Sequence, residues 1–328
     1  MGALTIILTI LGLSLFETVS SVDNAIINAE VLSGMGAKAR RWFLLWGMLF
    51  AVFIVRGLLP WIIVWLAVPQ LGPIGSLTAA FSSDPLVHQA VEKASPVLFM
   101  GGGVFLVLLF IHWLFIEPKN FGLPGEKFIS RHGVWFYAVA SVFLALTVWF
   151  TLSTDSLVSF AAVIGSTVFF ITHGFKENAE AQEKRLLAGG LSDLSKILYL
   201  EIIDTTFSID GVLGAFAFTL SVPLIVLGNG LGAVIVRQIT VGNIERIRTL
   251  RYIKNGAMYS IFVLGAVMMC DGFRLHVPEW ISPVSTFLIV GFFFVRSIIE
   301  NRKGRRARAV RTLPSRGRRP ATRGKKHG

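Results

Sequence analysis

The chain has 328 residues, of which 54% are hydrophobic and only 15% are charged, whereas about a quarter of the residues of an ordinary soluble domain are charged. Several apolar stretches reach the roughly 20 residues that a helix needs to cross the hydrocarbon core of a bilayer. This composition excludes a simple soluble domain and indicates a membrane protein. Cys270 is the single cysteine, which excludes an intrachain disulfide and a multi-cysteine metal cluster.

The apolar stretches, and the charged segments between them, predict an all-α polytopic fold with about nine membrane-spanning helices. In chain order we expect these helices at about residues 3–33, 41–68, 96–117, 134–152, 157–174, 195–220, 222–240, 255–271 and 281–299. Residues 1–300 are therefore expected to form one transmembrane domain.

The net charge of +12 comes from the C-terminal end of the chain. Residues 301–328 contain twelve of the 31 lysines and arginines and no acidic residue, so residues 1–300 are neutral overall. The terminal segment has too few apolar residues to fold, and we expect a disordered tail. Because the tail directly follows a membrane helix, its expected partner is anionic lipid and not a specific nucleic acid.

Basic residues cluster in alternate loops of the predicted topology, at residues 38–41, 119–131, 176–185 and 237–254. Loops of this kind lie in the cytoplasm according to the positive-inside rule. We therefore expect a multi-pass protein of the plasma (inner) membrane, with its N-terminus outside and its C-terminus in the cytoplasm. The basic tail then lies on the same side as the basic loops.

A motif of eleven residues occurs twice in the chain. Residues 16–26, FETVSSVDNAI, align with residues 203–213, IDTTFSIDGVL, so that an acid, a threonine, a serine and an aspartate recur in register. The two copies lie in the first and sixth predicted helices, which run in opposite directions across the membrane. Such inverted repeats are typical of secondary transporters, whose ion sites lie where the two halves meet.

Carboxylates lie inside both predicted helices, where one charge costs at least about 2.5 to 3.5 kcal/mol even on the most lenient scale. Shared protons or a bound cation would compensate for this cost. Magnesium, calcium and manganese ions prefer oxygen ligands of this kind. The acids in question are Glu17, Asp23, Glu201, Asp204 and Asp210.

Glu17 and Asp23 do not share a face of a straight helix, because six residues at about 100° each separate their side chains by about 240°. A single ion can reach both carboxylates only if the helix is locally broken. The serines at residues 20–21 and the segment 208–211 weaken a helix, and we predict a break in each.

Arg56 lies deep in the second predicted helix, and we interpret it as a partner of one of the acids that gates or neutralises the site. An alternative is that the acids are protonated and join helices through hydrogen bonds. His112, Glu117 and His173 lie near helix ends, where we expect interfacial positions and no ligand role. Asn229 lies among glycines that favour close helix packing.

Two motifs resemble those of the TerC family of integral membrane proteins: Glu17-x5-Asp23-Asn24 in the first predicted helix and Glu201-x2-Asp204-x5-Asp210 in the sixth. The resemblance extends over most of residues 1–300. It is supported by Trp46-Gly47, Arg56 and Leu250-Arg251-Tyr252.

The TerC family is named for tellurium resistance, belongs with the LysE-type exporters and includes members implicated in manganese export. By motif position, the resemblance implies a metal site at Glu17, Asp23, Asn24, Asp204 and Asp210, with Ser21 and Ser208 as neighbours. The chain departs from the family pattern at Gly211, where a small polar residue is usual, and near Met268, where a lysine is usual. The first departure bears on the number of ligands and the second on the charge balance.

The leading hypothesis is a transporter, without a permanent cofactor, that exports a divalent cation, manganese first, against protons or driven by the membrane potential. A second hypothesis is a non-transporting scaffold of a tellurite or envelope stress-resistance complex. An intramembrane enzyme that uses paired aspartates for acid-base chemistry ranks last. The sequence lacks the Gly-x-Gly-Asp pattern, a nucleophile elbow and a metalloprotease histidine pair.

Overall fold

The computed structural model describes residues 2–47, 50, 56–78, 85–119, 121–188, 192–242 and 249–311. These residues form helices, and no strand occurs among them. Several of the helices are long and apolar enough to cross a membrane. The prediction of an all-α polytopic membrane protein is therefore confirmed.

The first part of the chain contains six helices and two short turns. They are α1 (Ala3–Ser20), α2 (Val22–Ser33), α3 (Ala37–Trp42), a π-helical turn (Phe43–Gly47), α4 (Arg56–Ala67), a 3-10 turn (Pro69–Leu71), α5 (Gly72–Thr78) and α6 (Pro85–Ile116). The remaining elements are α7 (Pro124–Ser130), a 3-10 turn (Gly133–Trp135), α8 (Phe136–Leu152), α9 (Ser156–Ala188), α10 (Asp193–Ala215), α11 (Val222–Gly242), α12 (Ile253–Gly272) and α13 (Ile281–Arg311).

Six segments of the described chain have the length and composition of membrane spans, namely Ala3–Ser20, Gln89–Ile116, Gly133–Leu152, Ser156–Asn178, Ile253–Gly272 and Ile281–Arg302. A seventh arises if Arg56–Leu66 and Pro69–Thr78, which are bent by 105°, form one broken span. The sequence predicts about nine spans. Two of the predicted spans are not among these segments. They correspond to α10, whose charged side chains interrupt its apolar pattern, and α11, whose apolar part is limited to Val222–Gln238.

The last helix differs from the prediction of a tail that is disordered from residue 301. α13 continues without interruption to Arg311. Extending an existing helix adds a hydrogen bond for each residue that is ordered, and arginine and alanine are good helix formers. Residues 312–328 lie outside the described residues.

Glycines bring α6 close to two other helices, α9 and α12. A Cβ atom at Gly103 of α6 would lie 2.9 Å from the carbonyl oxygen of Gly265 of α12. A Cβ atom at Gly165 of α9 would overlap the backbone of Gly101 of α6. Small residues let helix backbones approach one another in membranes, where lipid supplies no hydrophobic drive for association. The packing of α6 therefore depends on these positions.

α1 packs against both α11 and α13, and its C-terminal half is mostly buried. Its side chains Leu13 and Phe16 are fully buried. The ring of Phe16 lies 5.9 Å from that of Phe218, and a Cβ atom at Gly228 of α11 would meet the side chain of Leu13. The C-terminal end of α1, which carries Glu17, is thus held inside the bundle by apolar packing.

We predict that Gly165→Ala destabilises the protein by about 1 to 3 kcal/mol, the usual cost of overpacking, because the opposing backbone of α6 cannot rotate away. Gly174→Ala in the same helix is the matched control, since nothing lies within 4 Å of its Cβ position, and its effect should stay within about 1 kcal/mol. Thermal unfolding of both purified variants in the same detergent measures the difference. Equal unfolding temperatures for the two variants would show that this helix contact is not tight.

Candidate functional site

The first motif copy lies across the junction of α1 and α2. Ser21 separates the two helices, with φ −88° and ψ 5°. Hydrogen bonds from Ser21 N to Glu17 O (3.1 Å) and from Ala25 N to Ser21 O (2.9 Å) are still formed. The interruption is therefore limited to Ser21, and the carbonyl oxygens of Glu17 and Ser21 remain hydrogen-bonded, so the structure has an irregularity at the predicted place but not the unwinding that was predicted.

The break that was predicted in the second copy is wrong, because α10 is continuous from Asp193 to Ala215. The hydroxyl of Ser208 donates a hydrogen bond of 2.6 Å to the backbone oxygen of Asp204, four residues earlier. A serine that bonds in this way keeps its side chain within the helical turn. The two copies thus have different backbones despite their similar sequences.

Glu17 forms a buried ion pair with Arg56, the first residue of α4. Its Oε1 atom lies 2.8 Å from Nη2 of Arg56, and the two side chains are only 1% and 6% exposed. The same oxygen accepts a hydrogen bond of 2.6 Å from the hydroxyl of Ser21. The interpretation of Arg56 as a partner of one of the acids is therefore confirmed.

The second carboxylate oxygen of Glu17 faces glycine. Oε2 has no hydrogen-bond partner among the described residues. A Cβ atom at Gly211 of α10 would lie 2.8 Å from this oxygen, and one at Gly232 of α11 would lie 2.6 Å from Cβ of Glu17. Glycine at position 211, one of the departures from the TerC-like pattern, thus makes room for the carboxylate.

Asn24 and Asp204 connect the two motif copies directly. The side-chain amide of Asn24 in α2 donates a hydrogen bond to Oδ1 of Asp204 in α10. Both residues are buried. The structure therefore brings Glu17, Asn24 and Asp204 into one neighbourhood, although they lie on three helices.

A cavity of about 50 Å³ lies beside these residues, and we call it the oxygen-lined cavity. Its polar lining consists of Ser21, Asn24, Asn28, Arg56, Glu201, Asp204 and Arg237. A water molecule needs only about 10 to 15 Å³ of such space. The cavity is therefore large enough for water or for a cation that keeps part of its hydration.

Several buried oxygens in or next to the oxygen-lined cavity have no hydrogen-bond partner among the described residues. They are Oε2 of Glu17, Oδ1 of Asn24, Oδ1 of Asn28 and both carboxylate oxygens of Glu201. Buried polar atoms are normally hydrogen-bonded, and an orphaned one needs an explanation. Carboxylate and amide oxygens are ligands that hard divalent cations prefer. A cation among these oxygens would provide that explanation.

Some residues of this region were not assigned to a site by sequence reasoning. Asn28 lies four residues after Asn24, a helical spacing that puts both amides on one face and could have identified it. Asn229 is fully buried and neither of its amide atoms has a hydrogen-bond partner among the described residues. Close packing alone does not account for that side chain.

Asp210, the second aspartate of the second copy, stands apart from this neighbourhood. Asp210 forms an ion pair with Lys176 of α9 and lines a different cavity, of about 510 Å³. In a continuous helix, six residues place Asp210 about 240° around the axis from Asp204, so the two carboxylates diverge. The side chain of Asp23 lies outside the described residues.

We predict that Arg56→Met destabilises the protein by about 3 to 5 kcal/mol, because it leaves the carboxylate of Glu17 buried without its counter-charge. The double variant Glu17→Gln, Arg56→Met should recover part of this loss. Arg274→Met is the matched control: Arg274 is 60% exposed and lies 3.7 Å from Asp155, so about 1 kcal/mol or less is expected.

Thermal unfolding in one detergent compares the three variants with the parent protein. The buried pair is not energetically coupled if the double variant unfolds at the same temperature as Arg56→Met. The same conclusion holds if Arg56→Met unfolds at the same temperature as the control.

A family model described as "Protein of unknown function (DUF475)" matches residues 22–304 of the chain. The match contains the whole second motif copy and starts directly after Ser21, so Glu17 and the rest of α1 precede it. No curated protein and no solved structure matches the chain.

Proposed function

We propose that this chain, which belongs to the DUF475 family, is a membrane transporter that exports a divalent metal cation, with manganese as the first candidate. The observation that carries the proposal is the group of buried oxygens without hydrogen-bond partners beside the oxygen-lined cavity. Glu17 lies on α1, which is long and apolar enough to cross a membrane, and the other oxygens lie on α2 and α10, which pack against α1.

The chemistry of the lining supports a hard divalent ion. Glu17, Glu201 and Asp204 supply carboxylates next to or in the cavity, and amide oxygens add neutral ligands. Neither histidine nor cysteine occurs among the described lining residues. Carboxylate and carbonyl ligands suit magnesium, calcium and manganese, whereas imidazole and thiolate favour zinc and copper. The TerC-like motifs imply manganese export and point in the same direction.

Arg56 would act as an internal competitor of the transported ion. Its guanidinium neutralises Oε1 of Glu17, so an incoming cation has to displace Arg56 or use the remaining oxygens. Lys176 has the corresponding relation to Asp210. Competition of this kind keeps each carboxylate compensated throughout a cycle, because a buried acid that loses one cation gains the other.

Two cavities at opposite ends of α1 and α11 support a transport path. The oxygen-lined cavity lies near Ser21 and Arg237, and a cavity of about 1010 Å³ near Ile6 and Ser221 contains charged residues such as Glu92. Ile6 and Glu17 are eleven residues apart in α1, which at about 1.5 Å per residue is roughly 16 Å along the helix axis. Fully buried Leu13 and Phe16 fill that interval. Movement of this apolar section would open the site to the other side.

The distribution of basic residues supports export as the direction of transport. The oxygen-lined cavity lies at the end of the bundle that carries the basic residues of segment 38–41 and Arg237. The positive-inside rule assigns that end to the cytoplasm. A cation that enters there and leaves through the larger cavity is exported, against protons or driven by the membrane potential.

A second candidate function is a scaffold in a membrane stress-resistance complex. The ion pairs Glu17–Arg56 and Lys176–Asp210 favour it, because they compensate two of the acids within the protein itself. A scaffold would use these pairs to join helices and would move no ion.

The deciding experiment is manganese flux into proteoliposomes that contain the purified protein. We predict that Asp204→Asn and Glu201→Gln each reduce the flux at least about tenfold, as expected when the environment of a bound metal is weakened. Glu300→Gln is the control, since Glu300 of α13 lines neither the oxygen-lined cavity nor the cavity of about 1010 Å³. Calcium, magnesium and zinc are added as competitors.

Equal uptake by all four proteins, at the level of empty liposomes, would exclude transport and favour the scaffold. Uptake that neither magnesium nor calcium inhibits even in large excess would leave transport in place but reject the hard-ion assignment.

A further inference from the structure

Two histidines and a glutamate form a cluster outside the oxygen-lined cavity. His112 lies near the end of α6, and His173 and Glu177 lie one turn apart in α9. One ligand atom from each of the three residues lies within 4.8 Å of the other two. The imidazole ring centroids are 3.7 Å apart, and Nε2 of His173 is 3.3 Å from Oε1 of Glu177.

The geometry of the imidazoles is not explained by packing alone. Nε2 of His173 is buried and has no hydrogen-bond partner among the described residues, because the nearby Glu177 oxygen lies outside hydrogen-bond geometry. Burying a polar atom without a partner is costly. Phe169 stacks on His173 and Phe136 meets His112 edge-on, so aromatic contacts hold both rings in place. Aromatic contacts therefore fix the unpartnered nitrogen of His173 next to the other two ligand atoms.

We propose that His112, His173 and Glu177 bind a late first-row divalent transition metal of the zinc class. Imidazole nitrogens suit zinc, iron, nickel and copper, and bind manganese more weakly. Metal bonds of about 2.0 to 2.2 Å put the ligand atoms of a tetrahedral site roughly 3.5 Å apart. The distance of 3.3 Å between His173 and Glu177 is close to this value, and since all three ligand atoms lie within 4.8 Å of one another, side-chain rotations complete the site.

The surroundings of the cluster provide access for an ion. All three residues line the cavity of about 510 Å³ that also contains Asp210. Solvent in this cavity can supply the fourth ligand, as in zinc sites with three protein ligands. The positive charge of Lys176 in the same cavity is compensated by Asp210, and Lys254 is 2.6 Å from Glu117. The neighbouring lysines therefore oppose a bound cation less than isolated charges would.

The position of the cluster distinguishes it from the oxygen-lined cavity. A metal bound there would tie α6 to α9 directly beside the Lys176–Asp210 pair. Its ligands are two nitrogens and one oxygen, whereas the other site offers only oxygens. The inference is independent of the proposed transport function and holds equally for a scaffold.

The test is cobalt binding to the purified full chain in detergent, carrying an affinity tag without histidines. Tetrahedral cobalt with imidazole ligands absorbs visible light, and zinc should displace it. We predict that His173→Gln and Glu177→Gln each weaken cobalt binding at least about tenfold, the minimum loss typical for a disturbed metal site. Both residues are less buried than His112, so these variants are expected to fold.

His132→Gln and Asp204→Asn are the controls. His132 is exposed, its ring contacts the backbone oxygen of Phe128, and it does not belong to the cluster. Asp204 belongs to the oxygen-lined cavity. Both should keep the visible absorption of tetrahedral cobalt that the parent protein shows, even if Asp204→Asn abolishes manganese flux. Unchanged binding by His173→Gln, or a loss of cobalt binding in Asp204→Asn equal to that in His173→Gln, would overturn the proposal.

Discussion

Glu17 and Arg56 form an ion pair that is almost completely removed from solvent, and the arrangement of the surrounding helices depends on it. Either charge alone would be strongly unfavourable inside a bundle of membrane helices. α1 therefore has to lie where the first residue of α4 can reach its end. The glycines of α10 and α11 that face Glu17 let those helices approach closely enough to enclose the pair. The ion pair thus links α1 to α4 in a space that α10 and α11 enclose.

The repeated motif is used differently in its two copies. In the first copy Glu17 and Asn24 are seven residues apart and lie on one face, where Glu17 pairs with Arg56 and Asn24 bonds to Asp204. The second copy is a continuous helix, so Asp204 and Asp210 lie on different sides of α10. Asp210 consequently belongs to a second cavity with Lys176 and the histidine cluster. The duplication has produced two chemically distinct regions, one of oxygens and one that includes imidazole.

Sequence reasoning predicted those features that depend on local chemistry. The apolar stretches indicated helices, the unfavourable position of Arg56 indicated an acidic partner, and the serines near residue 21 indicated an interruption. The break in α10 was predicted by the same logic and is wrong, because α10 runs without interruption through Ser208. Asn28 was missed, and the expected interfacial position of His112 is wrong, because its side chain is buried against the ring of His173. Asn28 is unremarkable until a cavity is known, and the two histidines lie on different helices.

The amino-acid sequence by itself determined that this protein is helical, that it belongs in a membrane and that its acids occur in two related motifs. These properties follow from composition and from periodicity along the chain. Only the tertiary structure decided which acid pairs with which cation and which oxygens remain unpartnered beside a cavity. The physical reason is that ion pairs and cavities depend on the rotation and separation of helices. Those quantities are set by packing between distant segments, such as the glycine contacts of α6 and α11.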